Sequence, residues 1–337
     1  MPAKPRSPIK VLIHGLPYFS RQLPAILSSH GWEIRNYSPR WSAELLTMAH
    51  QLHRCDLAYS WGGRTTMGKF LAAARLLGKK KVVIFWCGSD VLEGQAEHRA
   101  GKSDPWVAER IHWAGAPWLA EEVRAMGLQC EYVPITWVPP VEAVSPLPKV
   151  FSVLSYLPDS SRISLYGIDQ VLEVAQKMPY ARFTIVGLRQ GQSLKAPANV
   201  IVRHHLPNLN QLYRETTVVW RPTRHDGLSF TVLEALAHGR HVLWSYPITG
   251  ALLSRDAASS RAELERLFDL HEAHALDVNI LGAEFVARNF SPDKIRDEFL
   301  SRWRTIVESP SRALPRGARK PSQAFSPEES GRSLRRG

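Results

Sequence analysis

Short apolar runs alternate with amphipathic stretches along the first 135 residues of the chain. Residues 10–14, 56–61 and 81–86 are continuous apolar runs that end at glycine or in a polar turn, as buried strands do. Between them, residues 19–30 and 65–77 place apolar positions at helical spacing and stop before a glycine. This alternation predicts an α/β domain with a parallel sheet covered on both faces.

Five prolines separate this pattern from a second copy of it, and they crowd residues 134–148. A segment so rich in proline is stiff and marks a domain boundary. The alternation resumes near residue 150, and a final helix follows in which apolar residues recur at steps of four and three. The sequence therefore predicts a first domain, a linker, a second domain, a last helix and a tail, at residues 1–135, 136–149, 150–290, 291–308 and 309–337.

The net charge of +12 favours polyanionic or phosphate-bearing partners, but much of it lies at one end of the chain. Residues 309–337 contain seven Lys or Arg and two Glu in a stretch rich in Ser, Pro and Gly. Such a composition buries too little apolar surface to fold alone, which predicts a disordered basic tail. The charge of the folded part is therefore a weak indicator of function.

Several classes of protein do not fit the sequence. No apolar run approaches the ~20 residues that cross a bilayer, and no secretory signal opens the chain, so a cytoplasmic protein is the expectation. The three cysteines are single and widely spaced, which argues against a disulfide framework or a CxxC metal site. The 13 histidines show no HExxH spacing, and no DxD-like motif is present, so no metal site is expected.

The segment from Trp220 to Gly239 carries the densest chemical signal: an apolar strand, a polar turn and a helix predicted to start near Leu228 or Ser229. In open α/β sheets, ligands bind beyond the carboxyl ends of the strands, and a helix that starts there suits a diphosphate. The polar groups of this segment can serve such a ligand. Two arginines suit phosphate, a helical carboxylate suits a pair of sugar hydroxyls, and a loop carboxylate suits a second sugar: Arg221, Arg224, Glu234 and Asp226.

This segment resembles the retaining glycosyltransferases of the GT-B fold, in particular their large family-four group, also called glycosyl transferases group 1. The resemblance rests on Asp226-x7-Glu234, on the run Glu-Ala-Leu-Ala-His-Gly that begins at Glu234, and on the His-Val strand that follows it. Residues 151–154, 166–175 and 183–187 resemble the earlier elements of the family in the same order. The resemblance covers residues 150–250 well and the first domain loosely.

The resemblance implies two Rossmann-like domains facing across a cleft, with the C-terminal helix crossing back to the first domain. It also implies transfer of a hexose from a nucleoside diphosphate sugar to an acceptor hydroxyl, with retention and without a metal or other cofactor. By the same resemblance, Glu234 grips the nucleotide ribose and Asp226 contacts the transferred hexose. The resemblance also implies that the turn and the helix start bind the distal phosphate. These residues are Gly227, Leu228, Ser229 and Phe230.

The sequence departs from the family pattern in three places. The first acid is Asp226 instead of the usual Glu, and Tyr166 stands where a phosphate-binding Lys is expected, which leaves Arg162 as the nearest substitute. In the first domain, Trp86 and Cys87 occupy the place of a His that many members carry near the reacting carbon.

Several residues have two open interpretations. Asp90, in a Gly-Ser-Asp run that resembles a subset of the family, is either a helix N-cap or an acid near the acceptor hydroxyl. Gly15 permits close approach of the backbone to the donor, whereas His14 is equally a structural strand-end residue or an acceptor-site residue. Arg221 and Arg224 are either phosphate ligands or ion-pair partners.

The expected partners are a nucleotide-sugar donor and a glycan, lipid-linked or small-molecule acceptor. Peripheral contact with the inner face of a membrane stays open, and no specific binding to nucleic acid is expected. Two rival functions also remain. One is a catalytically silent or divergent GT-B protein that binds nucleic acid or membranes through its basic surface, and the other is a sugar-nucleotide epimerase.

Overall fold

In the computed structural model of the protein, the structure describes residues 7–15, 23–29, 31–37, 44–204 and 208–309. These residues form two compact units. The first unit contains the described residues up to Thr136 together with the helix that begins at Pro292, and the second unit runs from Trp137 to Ser291. The predicted basic tail lies outside the described residues from residue 310 onward.

The first unit is built on six parallel strands in the order β2-β1-β3-β4-β5-β6. Its central strands β3 and β4 are buried along their whole length, which explains their continuous apolar sequences. The strands are β1 Ile9–Gly15, β2 Trp32–Asn36, β3 Leu57–Trp61, β4 Val82–Trp86, β5 Ile111–Ala114 and β6 Cys130–Tyr132. The helices between them are α1 Leu45–Arg54, α2 Lys69–Leu76, α3 Asp90–Arg99, α4 Pro105–Ala108 and α5 Pro117–Ala125.

The second unit is a second sheet of six parallel strands, in the order β12-β11-β10-β7-β8-β9. The chain leaves β7 toward β8 and β9 and then returns to the other side of β7 at β10, as in a doubly wound Rossmann sheet. The strands are β7 Ser152–Tyr156, β8 Arg182–Val186, β9 Val200–Arg203, β10 Val218–Arg221, β11 His241–Trp244 and β12 Leu252–Leu253. The helices are α6 Ile168–Lys177, α7 Leu209–Arg214, α8 Phe230–Ala237, α9 Ala257–Glu272 and α10 Ile280–Asn289.

The last helix, α11 Pro292–Glu308, belongs to the first unit, as predicted. Its Trp303 is fully buried against the edge of the Tyr59 ring, with the ring centroids 5.5 Å apart. Phe299 of the same helix packs on Trp113, and Lys81 donates to the carbonyl of Val307 in its last turn. Aromatic burial of this kind fixes α11 to the first sheet.

The proline-rich segment is bound to the second unit instead of standing clear of it. The fully buried Arg240 donates to the carbonyls of Ser145 and Pro146. His271 of α9 is bonded through Nε2 to the carbonyl of Pro148 at 2.7 Å. Residues 137–149 are therefore part of the second unit in the structure.

Several described elements are absent from the sequence prediction, among them β2, α1 and, apart from the N-cap considered at Asp90, α3. Strand β2 is half-buried and polar along one side, α1 buries only Met48 and Leu52, and α3 buries only Val91 and Gly94. None of the three shows the continuous apolar run or the wide apolar face on which the prediction relied. The predicted helix 19–30 is described only at residues 23–29, of which residues 23–26 are helical.

Candidate functional site

The candidate site of the second unit lies where the strand order reverses, at the neighbouring carboxyl ends of β7 and β10. Ligands of open α/β sheets bind at this point because the loops from the two strands diverge there. Tyr156 ends β7 and Arg221 ends β10, while Trp244 ends the next strand, β11. Three adjacent parallel strands therefore deliver their last side chains to one edge of the sheet.

Arg221 and Asp226 form a two-point ion pair at this edge. Arg221 Nε lies 2.5 Å from Asp226 Oδ2, and Arg221 Nη2 lies 3.0 Å from Oδ1. Oδ2 also accepts hydrogen bonds from the Thr223 hydroxyl at 3.2 Å and from the indole N–H of Trp244 at 3.4 Å. The backbone N–H of Asp226 donates to the Tyr246 hydroxyl at 3.2 Å. Of the two interpretations left open for Arg221, the structure displays the ion pair.

Two tyrosine rings enclose the guanidinium of Arg221. Its Cζ lies 5.3 Å from the ring centre of Tyr166 and 6.0 Å from that of Tyr156, within the range of cation–π attraction. Arg221 is 9% exposed, and its Nη1 is buried with no hydrogen-bond partner among the described residues. Desolvation by burial lowers the pKa of Arg221, but the charge and hydrogen bonds of Asp226, together with Tyr166 and Tyr156, raise it above its ordinary value.

The helix predicted after the turn is α8, and it begins slightly later than the sequence suggested. Phe230 is its first residue, and Ser229 is its N-cap, with the hydroxyl oxygen 3.4 Å from the N–H of Val232. Gly227 and Leu228 are buried in the turn that leads to this cap. The first N–H groups of a helix have no partner within the helix, so this end of α8 is a polarised, N–H-rich surface.

Glu234 lies in the middle of α8 and is held by a residue of α7. The hydroxyl of Tyr213 donates to Glu234 Oε2 at 2.8 Å. The Tyr213 ring lies 4.8 Å from the ring of His238, whose Nδ1 is 2.8 Å from the carbonyl oxygen of Glu234. Burial raises the pKa of Glu234 above its ordinary value, and the Tyr213 hydrogen bond opposes that rise. This arrangement fixes a carboxylate on the helix face.

The two remaining arginines of the predicted site lie on exposed loops. Arg224 donates to the backbone and hydroxyl oxygens of Ser164 and pairs with Asp169 at 2.6 Å. These bonds fasten the loop after β10 to the segment that precedes α6. Arg162 is exposed at the end of a short 3₁₀ helix, Ser160–Arg162, in the loop after β7.

Asp90, in the first unit, does not take the predicted N-cap position. It is the first residue of α3, and the N-cap is Ser89. The half-buried carboxylate of Asp90 accepts backbone N–H groups from Gly63 at 2.6 Å, Gly88 at 2.7 Å and Cys87 at 3.1 Å. Burial raises its pKa, while these three donors stabilise the charged form. The carboxylate therefore ties the loop after β3 to the loop after β4.

Gly15 and His14 end β1 next to the end of β3. Gly15 has φ of +136°, and a Cβ atom at this position would overlap the carbonyl of Trp61. Close approach of the two backbones therefore requires glycine at this position. The His14 ring stacks on Phe70 with a centroid distance of 4.6 Å, and burial lowers its pKa.

Two further features concern ligands and membranes. Among the described residues, no three or more His, Cys, Asp or Glu side chains are grouped so that they could hold a metal ion. Within the same part of the chain, no helix combines the length and the apolar character needed to cross a membrane.

The sequence pattern overlooked five residues of the site in the second unit, and they are Tyr156, Tyr213, Thr223, Trp244 and Tyr246. Tyr156 and Trp244 were within reach of prediction because each is the last residue of a strand whose carboxyl end meets the ligand side of the sheet. Tyr213 gives no such signal, since it comes from a short helix 21 residues before Glu234.

Part of the second unit matches a known family, and the fold is similar to that of several solved structures. Residues 160–257 match the family described as Glycosyl transferases group 1, and no curated protein matches the chain. The structure is similar to sucrose-phosphate synthase from Thermosynechococcus elongatus, with a TM-score of 0.65, 14% identity and coverage of 89% of this chain and 99% of that one. It is also similar to the lipopolysaccharide outer core galactosyltransferase WaaB, with a TM-score of 0.56, 11% identity and coverage of 89% and 99%.

A third similar structure is an α-glucosyltransferase in complex with UDP and a 13-mer DNA, with a TM-score of 0.55, 12% identity and coverage of 88% and 100%. At such identities, the structural similarities establish the fold. The chain therefore has the predicted GT-B fold of two parallel six-stranded sheets, and residues 160–257 of its second unit match the group 1 glycosyl transferases. Together, the family match and the fold support glycosyltransferase function.

Proposed function

We propose that this GT-B protein transfers a hexose from a nucleoside diphosphate sugar to an acceptor hydroxyl, with retention at the anomeric carbon and without a metal. The donor binds the second unit at the carboxyl ends of β7 and β10, the point of strand reversal. The observation that carries the proposal is the geometry of Glu234. It is a half-buried carboxylate on α8, held at 2.8 Å by Tyr213, in the family's second acidic position.

In this proposal, Glu234 accepts hydrogen bonds from the two ribose hydroxyls of the donor nucleotide. Tyr213 occupies one of its oxygens, which fixes the direction in which the carboxylate presents its remaining acceptor sites. A buried carboxylate also binds hydroxyl donors more strongly than an exposed one does, because water competes less. Position and environment both suit recognition of a vicinal diol.

The diphosphate lies at the N-terminal end of α8, beside Gly227, Leu228, Ser229 and Phe230. Backbone N–H groups and the positive end of the helix stabilise the charge that develops on the departing diphosphate. Arg162 and Arg224 belong to the loops that follow β7 and β10, and they supply cationic side chains around the same position. Asp226 contacts the transferred hexose, as the family pattern implies. The first unit binds the acceptor, with Asp90 as the candidate residue, and Gly15 keeps its predicted role of close backbone approach to the donor.

Binding and turnover of nucleotide sugars test the proposal. Calorimetry and thermal shift with UDP-, GDP- and ADP-sugars identify the donor, product NMR reports the anomer, and assays with and without a chelator test independence from metal. Glu234→Gln should weaken binding of the active nucleotide about tenfold or more, since a hydrogen bond to a charged group contributes ~1.5–3 kcal/mol.

Glu173→Gln is the matched control, because Glu173 is an exposed helical glutamate of the same unit. It should bind like the wild type. The glycosyltransferase proposal fails if no nucleotide sugar binds or reacts. The ribose role of Glu234 fails if Glu234→Gln binds the nucleotide as tightly as the control does.

A further inference from the structure

The ion pair of Arg221 and Asp226 joins two residues that the family pattern treats separately. Asp226 replaces the usual glutamate of the first acidic position, and Arg221 precedes the proline at the end of β10. Both charge-bearing groups are largely shielded, with side chains 10% and 13% exposed. A two-point contact between guanidinium and carboxylate fixes the relative orientation of both planar groups.

Among the described residues, the carboxylate of Asp226 is the charged group that pairs with the guanidinium of Arg221. Its Nε and Nη2 both bond to Asp226, its guanidinium is flanked by the rings of Tyr156 and Tyr166, and its buried Nη1 has no hydrogen-bond partner among the described residues. An arginine that binds phosphate presents its N–H groups to the ligand, as an exposed guanidinium does. Arg221 instead directs Nε and Nη2 to Asp226, and its Nη1 is buried.

Asp226 is in turn held from several directions. Besides Arg221, its Oδ2 receives the Thr223 hydroxyl and the Trp244 indole N–H, and its backbone N–H bonds to Tyr246. These partners come from the end of β10, the loop after it and the end of β11. Asp226 is one methylene shorter than glutamate, and this network fixes where its carboxylate lies.

We infer that Arg221 is a positioning residue: it orients the Asp226 carboxylate toward the transferred sugar and does not itself bind the donor diphosphate. The inference rests on the proposed function and deepens it, because it assigns the two residues to one unit of the sugar subsite. Arg221 and Asp226 then act together on turnover, whereas the nucleotide is held elsewhere, at α8 and Glu234.

A mutant cycle separates this role from phosphate binding. The variants are Arg221→Met, Asp226→Asn, the double variant and Arg221→Lys, and each is measured for UDP affinity, for turnover of the active nucleotide sugar and for thermal midpoint. Both single variants should lower kcat on the order of a hundredfold, since misplacement of a reacting group by ~1 Å costs that much. UDP affinity should stay within about twofold of wild type, because nucleotide contacts are untouched.

The double variant should be no slower than the slower single variant, because residues that act as one unit are not additive. Arg221→Lys keeps the charge but makes one bond instead of two, so its kcat should fall between those of wild type and Arg221→Met. Arg261→Met, which breaks an exposed pair with Glu265 on α9 of the same unit, is the matched control. Its effect on kcat should be small, as for most exposed pairs.

The inference is overturned if Arg221→Met weakens UDP binding tenfold or more while Asp226→Asn leaves it unchanged, since Arg221 would then be a phosphate ligand. Multiplicative losses of kcat in the double variant also overturn it.

If Arg221→Met does not fold, Arg221→Lys carries the test, and a wild-type kcat for Arg221→Lys contradicts the positioning role. If the wild-type protein binds and turns over no nucleotide sugar, the proposed function fails, and the positioning role fails with it. Weaker UDP binding by Arg221→Met in an active enzyme overturns the positioning role alone.

Discussion

The Tyr213 hydroxyl donates a 2.8 Å hydrogen bond to Glu234 Oε2, which couples helix α7 to helix α8 in the second unit. Tyr213 is 2% exposed, and the rise in its pKa well above the ordinary value keeps the phenol protonated as a donor. Glu234 therefore does not act alone in the proposed ribose site. Its orientation depends on a residue outside the family's acidic motif.

Removing this hydroxyl should weaken nucleotide binding without removing any atom that touches the ligand. Tyr213→Phe leaves Glu234 without its donor, and a hydrogen bond to a charged group contributes ~1.5–3 kcal/mol. UDP affinity measured by calorimetry should fall about tenfold, with smaller change in kcat. Tyr180→Phe is the control, because Tyr180 is 53% exposed in the same unit. Equal UDP affinity for the two variants would contradict the coupling.

The affinity for nucleotide should also depend on pH through Glu234. Burial raises the pKa of this carboxyl, and the ribose hydroxyls donate to its charged form. Because its pKa is raised, Glu234 becomes protonated at a higher pH than an ordinary glutamate does. UDP affinity should therefore fall as the pH is lowered into the acidic range, and the fall should begin at a higher pH than an ordinary glutamate would give. The Tyr213 hydrogen bond lowers this pKa, so Tyr213→Phe should move the fall to higher pH.

Glu234→Gln cannot titrate and serves as the control for the phosphate groups, which also change protonation in this range. The difference between its pH profile and that of the wild type isolates the contribution of Glu234. Parallel profiles for the two proteins would show that this carboxyl does not control binding.

The sequence identified the parts of the site that lie on strongly patterned elements. Strand β10 and helix α8 were predicted to within a residue or two because a buried strand and a capped apolar helix leave clear patterns around Asp226 and Glu234. The partners of these acids were not predicted. Tyr213 and Trp244 reach them across 21 and 18 residues, and no local spacing encodes such contacts.

The role of Arg221 shows a different limit of prediction from the sequence. Its position supported both phosphate binding and an ion pair, because either use needs a cation near the strand end. Only the three-dimensional arrangement distinguishes them, through the two bonds to Asp226 and the enclosing rings of Tyr156 and Tyr166. The sequence showed that Asp226 replaces the usual glutamate, but it did not show that Asp226 is the acid with which Arg221 pairs.

Asp90 should contribute mainly to the stability of the first unit. Asp90→Ala removes the acceptor of three backbone N–H groups, from Gly63, Cys87 and Gly88, and should lower the free energy of unfolding by about 3 kcal/mol. Glu93→Ala is the matched control, since Glu93 is an exposed acid in the same helical turn and both variants lose the same favourable charge. Denaturant unfolding measures both. Unchanged stability with lost turnover for Asp90→Ala would instead favour an acceptor-site acid.

Gly167 should be intolerant of any side chain, because it lets the segment before α6 approach the end of β10. Its φ is +66°, and a Cβ atom would overlap the carbonyl oxygen of Pro222, next to Arg221. Gly191→Ala is the control: Gly191 also has positive φ, at +83°, but a Cβ there meets nothing within 4 Å. Both variants should lose about 1–2 kcal/mol for the left-handed backbone. Only Gly167→Ala must also displace Pro222, so its thermal midpoint should fall further and its turnover should drop. Equal midpoints for the two variants would show that this approach tolerates a methyl group.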